Sequence, residues 1–402
     1  MPIRAFQYRC YPTPEQESQL ARTFGSVRYT YNHFLRVRTN AWYNDKRSIS
    51  HAETDRMLTV LKQQPETVWL NEVSSVPLQQ TLRHLQTAFV NFFEQRAAYP
   101  RFKRKLGKQS ATYTKSAFTW HAGTRTLKLA KLGRLKIRWS RSFTAEPTTV
   151  TISKTPVGHY YVSFRIDEPV QEMPAATASI GIDVGLTHLL TTSDGEKVGN
   201  PKYTAKYERR LARAQRLLSR KQKGSKNRTK ARLKVAQVHD KIARCRLDHL
   251  HKLSTRLIRE NQAIYAESLS VKNMMGNHCL AKHIADVGWG ELFRQLDYKA
   301  TWYGRLFRQI DRWYPSSKRC WVCGHILERL PLDVRTWTCP QCGTVHDRDH
   351  NAAKNICAAG QAVDGVSVNA CGASVKPART AVREGTGRRS RNPSEKRVLH
   401  VS

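Results

Sequence analysis

The sequence predicts a multidomain α+β protein: an N-terminal β-barrel carrying an inserted helical bundle, then an α/β domain carrying a cysteine-rich insert. Three observations lead there. Apolar spacing is helical over residues 12–96 and shifts toward a period of two between about 110 and 170. A buried-strand signature, Ser179-Ile180-Gly181-Ile182-Asp183-Val184-Gly185, opens a second series of strands and helices. Two CxxC pairs, Cys320-Trp321-Val322-Cys323 and Cys339-Pro340-Gln341-Cys342, interrupt that series.

Residues 3–10 read as a short strand through Ile3, Ala5, Phe6, Tyr8 and Cys10. Thr13-Pro14-Glu15-Gln16 starts a helix, because Thr13 can cap, Pro14 suits the first helical position and Gln16 completes a capping box. Leu20, Phe24, Val27, Tyr31 and Phe34 continue it at helical spacing, and Leu78, Leu82, Leu85, Phe89 and Phe92 line a second helix after Pro77. Beyond residue 110, Thr126–Leu129, Leu135–Trp139, Val150–Ile152 and Tyr160–Phe164 alternate as strands, the last reached through a Pro156-Val157-Gly158 turn. The opening strand is expected to complete this basic barrel.

After a linker at Gln171–Ala176, the strand ending in Asp183 is followed by a second strand and turn at Leu189–Gly195. Residues 204–258 form a basic helical stretch broken near Lys223-Gly224-Ser225, and Ala263–Glu267 is a strand ending in a carboxylate. A helix around 288–310 is expected to lead into the cysteine insert, and a last helix carries Asn351–Ile356. The expected boundaries are 1–11 with 106–170 for the barrel, 12–105 for the bundle, 178–313 with 344–372 for the α/β domain, and 314–343 for the insert. Residues 373–402 lack apolar periodicity and read as a disordered basic tail.

The chain has 402 residues, with 69 Lys and Arg against 31 Asp and Glu, a net charge of +38. That excess is spread along the whole length, so a nucleic acid neutralises it more simply than an acidic protein or an anionic lipid surface. No apolar run approaches the roughly 20 residues a membrane span needs, and the N-terminus lacks a signal-peptide apolar core, so a cytoplasmic, nucleoid-associated location is expected. Four of the nine cysteines lie in the CxxC pairs. The others, Cys10, Cys245, Cys279, Cys357 and Cys371, are scattered and odd in number, which argues against a disulfide framework and for buried or inert thiols.

Four thiolates as two CxxC pairs, 15 residues apart between Cys323 and Cys339, have the number and spacing of a structural Zn²⁺ site. A thiol–disulfide redox pair fits one CxxC but not two at this spacing. Strand-end Asp183, strand-end Glu267 and helix-start Asp349 supply three carboxylates for two divalent cations that assist phosphodiester hydrolysis. Asp347 is read instead as a helix cap or a partner for Arg348. The order strand, hairpin, helices, strand, helix is that of an RNase H-like nuclease core.

These motifs together resemble the TnpB family, insertion-sequence proteins related to type V CRISPR effectors. The resemblance rests on Gly181–Gly185, Glu267-Ser268-Leu269, both CxxC pairs and Asp347-Arg348-Asp349-His350-Asn351-Ala352-Ala353-Lys354-Asn355-Ile356. It extends to Tyr11–Gln16, Tyr31–Leu35, Tyr99–Lys103 and Gly288–Glu291, so it spans roughly residues 3–357. It implies a RuvC nuclease domain whose acids are Asp183, Glu267 and Asp349 with Mg²⁺ or Mn²⁺, and a structural zinc ribbon at Cys320, Cys323, Cys339 and Cys342 that binds target nucleic acid. It further implies an enzyme, monomeric as a ribonucleoprotein, that uses a guide RNA from the transposon end to cut double-stranded DNA beside a short adjacent motif.

Nucleic-acid contacts are expected from Arg209, Arg210, Arg216, Arg220 and Lys221 on the basic stretch, whose only acids across 206–252 are Glu208, Asp240 and Asp248. Gln79, Gln80 and Arg83 are candidates for the adjacent motif, since glutamine can pair bidentately with adenine. Arg319, Arg329, Arg335 and Trp337 are candidates on the zinc insert. A nuclease-silent RNA-guided DNA-binding protein and a DNA-strand transposase are the alternative functions; the second predicts strand joining, for which no tyrosine nucleophile in a histidine metal motif is present.

Overall fold

The computed structural model describes residues 3–168 and 170–365. The tail expected at 373–402, and Cys371, lie outside the described residues. Among the described residues, no helix is long and apolar enough to cross a membrane.

The N-terminal half is built around one strand. β1 (Ile3–Tyr11) leads into α1 (Pro14–Asp45), and the expected capping box forms: Thr13 Oγ1 accepts from Gln16 N–H while Gln16 Oε1 accepts from Thr13 N–H. α2 (His51–Leu61), which the apolar spacing had not singled out, has its own box between Ser50 and Glu53. α3 (Ser75–Phe93) follows, starting two residues before Pro77 and not after it. Six more strands come next: β2 (Gln109–Thr114), β3 (Phe118–His121), β4 (Thr126–Leu129), β5 (Gly133–Arg138), β6 (Pro147–Lys154) and β7 (Tyr160–Asp167).

The sheet order β2-β6-β7-β1-β5-β4-β3 puts β1 in the middle, antiparallel to β7 along its length and to β5 at Arg9–Tyr11. The opening strand therefore completes a nearly closed barrel sheet. Its inner residues Tyr8, Tyr113, Val150, Val162 and Phe164 are buried in one apolar cluster with Leu20, Phe34, Leu78 and Leu82 of the helices. A continuous core of this kind fixes the helices on the barrel by apolar burial.

The second half contains a five-stranded sheet ordered β10-β9-β8-β11-β12. β8 (Ser179–Val184), β9 (His188–Thr192) and β10 (Lys197–Gly199) form an antiparallel run; β11 (Ala263–Glu267) and β12 (Leu306–Ile310) join parallel to β8. Between β10 and β11 stand α4 (Tyr203–Ser219) and α5 (Lys226–Glu260), the two arms of the basic stretch. α6 (Val271–Met274), α7 (His278–Val287) and α8 (Trp289–Tyr303) connect β11 to β12.

The helix expected over 288–310 is thus shorter. Gly304 takes a left-handed conformation (φ 65°) that ends α8 at Tyr303, and Leu306–Ile310 then pairs in parallel with Ala263–Glu267. Cys279 is exposed rather than buried. A short hairpin, β13 (Thr336–Thr338) and β14 (Val345–Asp347), carries the second cysteine pair directly into α9 (Arg348–Val363).

Candidate carboxylate site and cysteine cluster

The sheet register brings two of the three candidate acids side by side. β8 and β11 pair in parallel with Tyr265 opposite Gly181 and Ala266 opposite Ile182, so the next step sets Glu267 level with Asp183. Alternate residues share a face. Ile180 and Ile182, with Ile264 and Ala266, face an apolar core built with Leu250, Leu253, Leu257, Leu292 and Leu296. Gly181, Asp183, Tyr265 and Glu267 face the other way, toward α9.

Helix α9 lies directly on that face. A Cβ on Gly181 would collide with the Ala353 carbonyl and Cys357, and one on Gly360 would collide with the Tyr265 ring. Glycine at these two positions permits the close approach. Asp349 is one turn before Ala353, and Asp183 is two residues beyond Gly181, so the helix carries Asp349 over Asp183. Asp347 does not join them: it caps α9 by accepting from His350 N–H (3.0 Å) and pairs with Lys197 (2.7 Å), not with Arg348.

The charges feel one another. Asp183 is held well above the ordinary carboxylate range, first by desolvation and then by the negative charges of Asp349 and Glu267, with Arg348 opposing. Desolvation also raises Glu267. Asp183 and Glu267, both raised, together with the negative charge of Asp349 form a set that a cation would relieve, and carboxylate oxygens suit Mg²⁺ or Mn²⁺. One cation is already supplied: Arg335 donates to Asp349 Oδ1 at 3.3 Å, reaching over from β13's leading edge.

Sequence reasoning named Gly181 only within a strand motif and Arg348 only as a candidate partner for Asp347. Arg348 hides between two aspartates, yet its guanidinium donates to the carbonyls of Pro331 and Val334, and its own N–H donates to Arg335 O. It therefore joins the cysteine insert to the first turn of α9.

The four cysteines do come together. All their Sγ atoms lie within 4.8 Å of one another, with Cys320–Cys342 at 3.6 Å and Cys323–Cys339 at 3.5 Å. A tetrahedral ion with bonds of about 2.3 Å needs edges of about 3.8 Å, so the cluster fits Zn²⁺. Among the described residues, no other group of three or more His, Cys, Asp or Glu side chains draws as close. Each pair sits on the same backbone loop: Gly324 N–H donates to Cys320 O and Gly343 N–H to Cys339 O, with φ of 78° and 71° at the glycines. Trp337 is buried against His346, whose Nε2 is 3.0 Å from Cys320 Sγ, so it serves this small core and is not a nucleic-acid contact.

The candidate cations lie outside these cores. Arg209, Arg210, Arg216 and Arg220 on α4 or its end are exposed, as are Lys221, Gln79 and Arg83, while Gln80 is half-buried. α4 is fixed at its start by Asp286, which accepts from Thr204 N–H and Oγ1 and pairs with Arg246 of α5.

Three family models match the chain: one described as "Probable transposase" over residues 161–278, a "Cas12f1-like, TNB domain" over 289–356, and a "Helix-turn-helix domain" over 1–47. The last range holds one strand and one 32-residue helix in this fold. The chain is 53% identical over 386 residues to a Streptomyces pristinaespiralis protein named "Putative RNA-guided DNA endonuclease", covering 95% of this chain and 94% of the relative. It is 34% identical over 400 residues to "Putative RNA-guided DNA endonuclease InsQ" of Escherichia coli strain K12, covering 96% and 98%. A cryo-EM structure of a Cas12f1–sgRNA–target DNA complex shares the fold with a TM-score of 0.55 at 12% identity, covering 88% of this chain and 98% of that one.

Proposed function

The chain belongs to the TnpB family, and we propose that it is an RNA-guided DNA endonuclease encoded by an insertion sequence. A guide RNA derived from the transposon end selects double-stranded DNA beside a short adjacent motif, and the carboxylate site hydrolyses the phosphodiester. The observation that carries this reading is the in-register pair Asp183 and Glu267 under the first turn of α9, with Asp349 acting on Asp183's charge.

In this reading the second half is an RNase H-like, RuvC-type nuclease domain, and the cysteine insert is a zinc ribbon whose metal is structural. Mg²⁺ or Mn²⁺, when bound, neutralises charge on the attacking water and the leaving oxygen. Asp183, Glu267 and Asp349 are the residues that would hold it. The exposed arginines of α4 track phosphates of the guide and of its heteroduplex with DNA, reading A-form geometry and not sequence. The barrel and bundle read the adjacent motif, with Gln79, Gln80 and Arg83 as candidate contacts. The working form is a cytoplasmic, monomeric ribonucleoprotein.

The test is Asp183→Ala assayed with guide RNA, target DNA and Mg²⁺. Removing a charge that organises the site should lower cleavage on the order of 10³-fold, equivalent to about 4 kcal/mol, and leave guided binding intact. Cleavage that survives the substitution refutes the site. Wild-type protein that binds guided target without cutting it identifies a nuclease-silent binder instead, and products joined rather than broken identify a strand transposase.

A further inference from the structure

We propose that Trp313 is a stacking platform that positions one base of the DNA strand entering the carboxylate site, an inference that rests on the nuclease function proposed above. Trp313 is 80% exposed. Trp337, the tryptophan singled out from the cysteine insert's sequence, is 6% exposed and belongs to that insert's core. An indole left in water beside buried Ile310 and partly buried Tyr314 asks what covers it.

Three features make it a platform and not a stray side chain. First, it stands at the carboxylate end of the sheet. Glu267 pairs with Ile310 across β11 and β12, and Trp313 follows Ile310 by three residues. The chain can travel only about 10 Å in three residues, and the strands are about 4.8 Å apart, so Trp313 is within roughly 15 Å of Glu267 along the backbone.

Second, the loop that carries it is anchored on the right face. Tyr314, its neighbour, packs with Ile310, Tyr265 and Ile356, the cluster on the α9 side that also presents Asp183 and Glu267. Third, the loop is held. Asp311 Oδ1 accepts from Trp313 N–H at 2.7 Å and Asp311 O from Tyr314 N–H, while Asn355 of α9 donates to Ser316 O (2.8 Å) and to Arg319 O (2.6 Å). Residues on both sides of Trp313 are thereby fastened, one to the strand beside Glu267 and the other to the helix that carries Asp349.

The chemistry selects the occupant. The Arg312 guanidinium stands 5.1 Å from the Trp313 ring, so an apolar face and a cation are presented together. A nucleobase with its phosphate matches both, and an aromatic face accepts any base, which suits an enzyme whose sequence choice is made by a guide. A duplex hides its base faces, so the occupant is a single strand.

The experiment uses the full chain loaded with guide RNA, and targets carrying one abasic residue at successive positions near the cut. Wild-type protein should cut slower by about 10-fold when the abasic residue falls at the stacked position. Trp313→Ala should slow cutting of the intact target by a similar factor and lose that positional sensitivity; Trp313→Phe should restore both. Guide binding and melting temperature should not move, because the indole contributes no core. A Trp313→Ala protein that cuts at the wild-type rate, or keeps the abasic profile, overturns the proposal. Wild-type protein that cuts no guided target is a separate result and removes the nuclease reading itself.

Discussion

The cysteine cluster and the carboxylate site stand next to each other in the fold, yet they are encoded in opposite ways. Cys320 to Cys342 is a local segment that closes on itself through two identical loops, and its sulfur atoms already lie at spacings a tetrahedral ion accepts. Asp183, Glu267 and Asp349 are 84 and 82 residues apart and come to one face of the sheet only because two parallel strands are in register and a helix presses onto them through Gly181. One site is complete as soon as its loop forms. The other exists only once the second half has folded, and its charges oppose it. The proposed roles, a structural metal site and a site for chemistry, call for this difference, because the first must be stable and the second must leave an unmet need for a cation.

The largest effect expected is on the local site. Cys339 is buried, and structural zinc contributes about 10–16 kcal/mol of apparent binding energy to small zinc domains. Cys339→Ser, or prolonged chelation, should therefore release the zinc and open residues 314–347 to proteases while the barrel resists. Zinc content and limited proteolysis measure this; an insert that stays resistant without metal would erase the contrast with the carboxylates. Because Asn351 and Arg348 tie the insert to α9, Asp349 should lose its position and cleavage should fail along with the insert.

Next in size is the seat of α9. Gly181→Ala forces a methyl group against the Ala353 carbonyl, backbone that cannot yield as a side chain would. About 2–3 kcal/mol of stability should go, read as a lower denaturant midpoint, with cleavage falling alongside. Gly199→Ala, where a Cβ meets nothing within 4 Å, is the control and should change neither.

The same contrast governs what the sequence reveals. The cysteine pairs declare their partners by spacing, and Thr13 with Gln16 declares a helix start, because those interactions close within a few residues. The three acids were legible as strand ends and a helix start, but nothing local says that Glu267 stands level with Asp183; register says that. Leu306–Ile310 read as helix because five residues carry too little period to outweigh the helix before them, and only the edge of β11 makes them a strand. Trp337 and Trp313 were likewise indistinguishable as letters. Burial against His346 claims the first, and a loop that turns Tyr314 inward exposes the second.

A smaller effect with a revealing sign comes from Asp183. Its carboxyl prefers the protonated form in the fold, so its ionisation opposes folding increasingly as pH rises above the ordinary value of 3.8 and through the raised folded value. In metal-free protein, Asp183→Asn should consequently raise the melting temperature at neutral pH by a few degrees, a gain of about 1 kcal/mol being worth about 2–4 °C in a domain of this size. That gain should vanish below about pH 4, where both states are protonated. Adding Mg²⁺ should stabilise the wild type and leave the variant unmoved. Loss of stability at neutral pH in the variant would mean that Asp183 is held by partners and is not waiting for one.

The smallest effect tests the point where the two regions touch. Arg335 belongs to the cysteine insert but donates to Asp349, with its side chain 61% exposed and the carboxylate 24%. A pair this open is worth at most about 1 kcal/mol, so Arg335→Ala should alter stability little. Its consequence is local. The guanidinium occupies an oxygen of Asp349 and cancels charge that a divalent ion would otherwise meet, so its removal should tighten Mn²⁺ binding to the guide-free protein, by up to about 5-fold. Titration calorimetry against Arg335→Lys, which keeps the charge but loses the planar fork, separates charge from geometry. Equal affinity in all three proteins would show that the insert leaves the carboxylates electrostatically alone, and that it serves them only by holding the start of α9.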